Sequence, residues 1–110
     1  MEGHRHGRLP QLIEEELAGL FRDEVTDPRL EGVRVSGVEL SPDYRSARVR
    51  YVLRGDTAEL AKVERALERA TPFLRARLGE ALDLKRLPEL VFKHDRDAEA
   101  QARAARLLGE

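Results

Sequence analysis

The stretch that decides the fold is Leu60-Ala61-Lys62-Val63-Glu64-Arg65-Ala66-Leu67-Glu68-Arg69-Ala70-Thr71-Pro72-Phe73-Leu74-Arg75-Ala76-Arg77-Leu78-Gly79-Glu80-Ala81-Leu82. Leu60, Val63, Leu67 and Ala70 recur at helical spacing, and Leu74, Leu78, Ala81 and Leu82 do so again. Pro72 stands between the two sets. Proline has no N–H, its ring crowds the preceding turn, and it disfavours a helical conformation for the residue before it. Threonine is a good N-cap, and proline is favoured at the first helical position. The stretch therefore predicts two helices meeting at a bend. A helix start carries unpaired N–H groups and a partial positive charge, which suit a phosphate. Arg69 and Arg75 flank that start, so the bend is a candidate resting place for a nucleic-acid backbone.

Working outward, Leu9, Leu12, Ile13, Leu17, Leu20, Phe21 and Val25 mark one face of a first helix, with Pro10 in its first turn. Thr26-Asp27-Pro28 ends it. Val33 to Leu40 reads as a strand whose apolar phase slips at Gly37, the signature of a β-bulge. Ser41-Pro42-Asp43 is a turn, and Arg45 to Leu53 is a second strand. Ala47, Val49, Tyr51 and Leu53 share one of its faces, and Arg48 and Arg50 share the other. The two strands predict an antiparallel hairpin. Asp56 and Glu59 have capping-box spacing before the central helix. A third strand carries Leu90, Phe92 and His94. A last alanine-rich helix, about 98–108, is capped by Asp95 or Asp97. The order is α-β-β-α-α-β-α, an α+β domain. A three-stranded mixed sheet is covered by helices on one face, with the third strand parallel to the second.

The 110 residues predict a single domain, with residues 1–8 as a flexible basic arm and the tail from residue 96 mobile. The absence of cysteine excludes a disulfide framework, a thiolate metal site and a thiol nucleophile. No apolar run approaches the roughly 20 residues that span a bilayer, and Met1 to Arg8 lacks a signal-peptide core. A soluble cytoplasmic protein is expected. Net charge is -1, so the chain as a whole is not a basic nucleic-acid binder. Its cations are mostly arginine, with lysine only at Lys62, Lys85 and Lys93. That bias fits a GC-rich genome or a thermophile as well as phosphate recognition. His4, His6 and His94 lack metal-ligand spacing, the serines lack a nucleophile elbow, and no glycine-rich phosphate loop is present. No cofactor, no metal and no enzymatic activity are expected.

Four local motifs narrow the reading. They are Val-Thr-Asp-Pro-Arg-Leu at 25–30, Val-Ser-Gly-Val-Glu-Leu-Ser at 35–41, Ser-Ala-Arg-Val at 46–49, and Arg-Leu-Pro-Glu-Leu-Val-Phe at 86–92, closing on Asp95. In this order and spacing the chain resembles the bacterial ribosome-binding factor A family over nearly its whole length. The resemblance implies a type II KH-like fold and a monomeric, non-enzymatic assembly factor. Such a factor binds the free small ribosomal subunit and its ribosomal RNA. It promotes late maturation, including 5′-end processing, with special importance in the cold. It also implies a helix-kink-helix with an Ala-x-Gly element, which here reads Ala70-Thr71-Pro72. Proline thus stands where the family usually has glycine, and the tail after Asp95 departs from the family pattern as well.

The candidate RNA ligands fall into three groups. Lys62, Arg65 and Arg69 form a basic stripe on the central helix that leads to Ala70, Thr71, Arg75 and Arg77 at and beyond the bend. Glu64 and Glu68 form an acidic stripe beside it. Arg45, Arg48 and Arg50 belong to the second strand, and Lys85 and Arg86 precede the third. Aromatic residues are scarce, which favours recognition of backbone and shape over base stacking. The alternative is a protein-interaction module that uses the last helix or the acidic helix face. Asp27-Pro28-Arg29 and Pro88-Glu89 read as structural.

Overall fold

The computed structural model describes residues 2–55 and 59–109, with the side chains of residues 2–7 outside that description. The elements are α1 (Glu2–Asp23), a 3-10 turn (Pro28–Leu30), β1 (Val33–Leu40), β2 (Ser46–Leu53), α2 (Leu60–Leu82), β3 (Glu89–His94) and α3 (Arg96–Leu107). The sheet order is β1-β2-β3, with β1 antiparallel and β3 parallel to the central β2. The α+β class, the hairpin and the parallel third strand thus agree with the reading of the sequence. The pairing passes from Val35↔Tyr51 to Gly37↔Arg50, so the bulge falls where the apolar phase slips.

Strict alternation in β2 explains the two layers. Ala47, Val49, Tyr51 and Leu53 are buried, while the residues between them are partly or fully exposed. Against the buried row pack Ile13, Leu17, Leu20 and Phe21 of α1 and Val63, Leu67, Leu74 and Leu78 of α2. Phe92 of β3 meets both Phe21 and Tyr51 edge-on, with ring centroids 6.3 and 6.4 Å apart. Burial pushes the Tyr51 hydroxyl up to about 12, with the charges of Glu64 and Glu99 adding to it.

Asp27-Pro28-Arg29 is structural, as its sequence suggested. The Asp27 carboxylate accepts the Arg29 backbone N–H at 3.0 Å and pairs with its guanidinium at 2.8 Å, which anchors the turn that buries Leu30. That side-chain bond, followed by the Arg29 backbone bond, holds Asp27 below the usual carboxylate range. Gly32 has to be glycine, because a Cβ there would lie 2.5 Å from the Arg54 carbonyl oxygen.

Three expectations are corrected. First, α2 is one continuous helix from Leu60 to Leu82, with Pro72 inside it and no helix start at Thr71. The Thr71 hydroxyl does not cap. It donates back to the Leu67 carbonyl at 2.7 Å, an i to i−4 bond made from within a helix. Proline removes one backbone bond, to the Glu68 carbonyl, while burial of Leu67 on one side and Leu74 on the other keeps both halves on the same core. The phosphate-binding helix start expected at Thr71 is therefore absent. Second, α1 begins at Glu2, so Pro10 lies inside it and the backbone expected as an arm is helical. Third, α2 has Glu59 at its N-cap without a side-chain bond. Asp56, the expected capping residue, lies outside the described residues.

Asp95, the first of the two expected caps, starts α3 by accepting the Ala98 N–H at 3.0 Å. One turn on, Glu99 is only 7% exposed. Its Oε1 accepts the Leu53 N–H at 2.6 Å and lies 2.8 Å from His94 Nε2. The pairing of β2 with β3 ends at Tyr51↔His94, and Asp95 N–H reaches the Tyr51 carbonyl at 2.8 Å. Leu53 N–H is thus the next donor along this edge, and a carboxylate from α3 takes the place of the missing strand carbonyl. Burial raises Glu99, but the His94 and Leu53 hydrogen bonds outweigh it, and its affinity for protons ends below the ordinary carboxylate value.

Two predictions follow from this packing. A lowered folded-state value means Glu99 contributes stability that is present above its unfolded value and is lost as pH falls through the folded one. Urea unfolding at pH about 7 and about 3.5 is therefore expected to show a smaller acid loss in Glu99→Gln than in the parent chain. Pro72→Ala restores an N–H to the Glu68 carbonyl within a continuous helix. It is expected to raise the melting temperature by a few degrees, on the order of 1 kcal/mol. A fall would mean that the neighbouring turns are built around the proline ring.

Candidate nucleic-acid interface

The elements separate the candidate ligands by surface and by how far each is already engaged. On α2, Val63, Ala66, Leu67, Leu74 and Leu78 face the core, which leaves Lys62, Arg65 and Arg69 exposed on the outer side. Lys62 pairs with Glu59 at 2.6 Å. Arg65 and Arg69 make no hydrogen bond or ion pair among the described residues, although Arg69 is near enough to Asp27 to favour its ionised form. Ala70 is half-buried against the core and Thr71 spends its hydroxyl on Leu67, so neither presents a free polar group.

Beyond Pro72 the arginines are engaged within the fold. Arg75 is partly buried and donates to the carbonyls of Leu87 and Pro88 at 3.1 and 3.3 Å. It ties α2 to the segment that leads into β3. Arg77 bridges Glu24 at 2.9 Å and Glu80 at 3.5 Å, which fastens α2 to the end of α1. The helix ends at Asp83, whose left-handed φ of 51° turns the chain toward Lys85 and Arg86. Both of those cations are exposed and without partners among the described residues.

The second-strand group lies on the opposite layer. Arg48 is exposed and unengaged among the described residues, whereas Arg50 pairs across the hairpin with Glu39 at 2.9 Å. Arg45 makes a loose 3.9 Å contact with Asp43. The Arg45 carbonyl accepts the Glu89 N–H at 2.8 Å, so Arg45 and the Lys85-Arg86 loop belong to the same end of the sheet. Lys93, opposite Arg50 in the sheet, is an exposed cation of the open face that the candidate set omitted. Its alternation with Leu90 and Phe92 was the available signal. Glu64 and Glu68 line a groove of about 490 Å³ between α2 and β3, floored by Tyr51, Leu90 and Phe92.

No group of three or more metal-ligating side chains occurs among the described residues, and no described helix is long and apolar enough to cross a membrane. The arrangement can hold phosphates at separated guanidinium and ammonium groups carried by α2, the sheet and the loop between α2 and β3. It defines a small two-layer α+β domain with an exposed, partly engaged arginine surface. The chain belongs to the ribosome-binding factor A family, whose sequence model matches residues 5–108. Ribosome-binding factor A of Heliobacterium modesticaldum is 44% identical over 110 residues, covering 100% of this chain and 91% of that protein. The crystal structure of ribosome-binding factor A from Thermus thermophilus superposes with a TM-score of 0.73 at 31% identity, covering 82% of this chain and 94% of that one. A Thermus thermophilus homology model fitted into a cryo-EM map of a complex between 30S and that factor gives a TM-score of 0.61. Its identity is 32%, and the match covers 86% of this chain and 94% of that one.

Engaged and unengaged arginines are expected to behave differently on substitution. Arg75→Ala strips two carbonyls of a charged donor and is expected to cost on the order of 1–3 kcal/mol of stability, read as a lowered melting temperature. Arg69→Ala is expected to stay within about 0.5 kcal/mol of the parent. Equal melting temperatures for the two variants would remove the structural role given to Arg75.

Proposed function

We propose that this protein binds the free small ribosomal subunit and its ribosomal RNA and assists late maturation, including 5′-end processing of that RNA. The observation that carries the reading is family membership across residues 5–108. A relative fitted into a 30S complex supports the choice of particle. The mechanism is binding: by favouring one conformation of the RNA, the protein shifts a folding population without covalent chemistry. Arg65, Arg69, Lys85 and Arg86 supply phosphate contacts from α2 and the loop beyond it. Arg45 and Arg48 supply them from the neighbouring end of the sheet. Arg50 and Lys62 join once their exposed ion pairs exchange with solvent, which costs little. A monomer acting in the cytoplasm, with greatest demand in the cold, completes the proposal.

A second reading has one observation in its favour. Glu64 and Glu68 outnumber the single cation Arg65 in the lining of the groove beside β3, which disfavours phosphate and suits a protein partner. Salt distinguishes the two, because phosphate contacts release counterions, whereas a partner seated on the groove's apolar floor of Tyr51, Leu90 and Phe92 makes mainly apolar contacts.

The test is co-sedimentation with small subunits, large subunits and intact ribosomes over a salt series. The expected result is selective binding to free small subunits. The affinity should fall with a log–log slope of about -0.7 to -0.9 per phosphate contact, and more shallowly once Arg65, Arg69, Lys85 and Arg86 are replaced by alanine. Binding that ignores salt would support the protein-partner reading, and binding to no particle would overturn the proposal.

A further inference from the structure

Phe73 is a large apolar side chain that the fold does not use. It is 43% exposed, stands outside the core cluster and its packed neighbours, and makes no ring contact among the described residues. The other phenylalanines serve the core: Phe21 belongs to it, and the partly buried Phe92 packs against it, edge-to-face with Phe21. Exposing an aromatic ring costs hydrophobic stabilisation that its neighbour Leu74, fully buried, provides in full.

The surroundings of the ring specify an occupant. Residues four apart are neighbours on a helix surface, so Arg65, Arg69, Phe73 and Arg77 form one ridge along the outside of α2. Arg77 is neutralised by Glu24 and Glu80, whereas Arg69 and Arg65 have no ion-pair partner among the described residues. The cation without an ion-pair partner thus adjoins the ring on the Arg69 side alone, where the nearby Asp27 carboxylate is already paired with Arg29. Ala76, one turn further, is too short to cover the ring, and Pro72 beside it is exposed as well. An apolar protein partner would meet a charged rim here. An anionic strand with a flat, unpaired base meets complementary charge next to a π face. Of the two exposed aromatic rings among the described residues, the other, Tyr44, sits in the β1–β2 turn at φ 61° and is already engaged.

We infer that Phe73 is the stacking platform for one unpaired RNA base and that Arg69 holds the phosphate next to it. The inference rests on the RNA-binding reading above and deepens it. A protein otherwise limited to backbone contacts gains a means of selecting a single-stranded position over a duplex. The continuous helix through Pro72 serves this role, because it carries ring and guanidinium on one rigid element.

Two substitutions test it in the intact chain. Phe73→Ala is expected to weaken binding to free small subunits about 5- to 150-fold at constant salt, with the melting temperature unchanged. Phe73→Trp is expected to keep the affinity. Because the chain has no tryptophan, it also reports stacking as fluorescence quenching on titration with single-stranded small-subunit rRNA fragments, with little quenching by a duplex of the same sequence. If Phe73→Ala binds like the parent while parent binding remains salt-dependent, the stacking role is overturned and the RNA-binding reading survives. If Phe73→Ala weakens binding but RNA does not quench Phe73→Trp, the ring meets protein, and the inference is again overturned. A parent chain that binds no particle overturns both.

Discussion

The central strand has to keep one face dry and the other wet, and the rest of the molecule follows from that constraint. Ala47, Val49, Tyr51 and Leu53 form the dry row on which α1 and α2 seat their leucines. Arg48 and Arg50 form the wet row. A one-residue slip would exchange the two rows, which makes the register strongly specified. Partners on both sides complete the backbone hydrogen bonds of the strand. Where β3 runs out, the Glu99 carboxylate accepts the Leu53 N–H. A buried acidic residue in an alanine-rich helix therefore has a backbone task, and it ties the last helix to the middle of the sheet.

The same economy of partners divides the arginines. A guanidinium already donating to Leu87 and Pro88, or bridging Glu24 and Glu80, has to break those contacts before it can hold a phosphate. Arg65, Lys85 and Arg86 face no such competition from the described residues, and the Asp27 carboxylate near Arg69 is already paired with Arg29. With a net charge of -1, the chain has no global attraction for RNA. Binding energy must come from where these free cations lie, and the outer ridge of α2 with the loop beyond it is one such place.

The periodic signals were legible in the sequence and the partner-dependent ones were not. Alternation in β2 and the phase slip at Gly37 are local, and they gave both the two-layer architecture and the bulge. The Asp27-Pro28-Arg29 turn is equally local, with its hydrogen bonds closing over two residues. Pro72 misled because propensity rules weigh one lost backbone bond and one crowded turn, while the core on either side outweighs both. Pro10 likewise lies inside α1. Engagement of Arg77 by Glu24 spans 53 residues, and that of Leu53 by Glu99 spans 46, distances at which no spacing rule operates. Arginine positions could be read as a stripe, but which of them were free could not.

The central claim is that unengaged cations on α2 and the loop after it form the RNA contact. Arginine-specific chemical modification, read residue by residue by mass spectrometry with and without free small subunits, tests it most directly. The account predicts protection of Arg65, Arg69 and Arg86 on binding, with exposed Arg22 and Arg106 remaining reactive. Unchanged reactivity at Arg65, Arg69 and Arg86, with protection confined to Arg103 and Arg106 of the last helix, would contradict it.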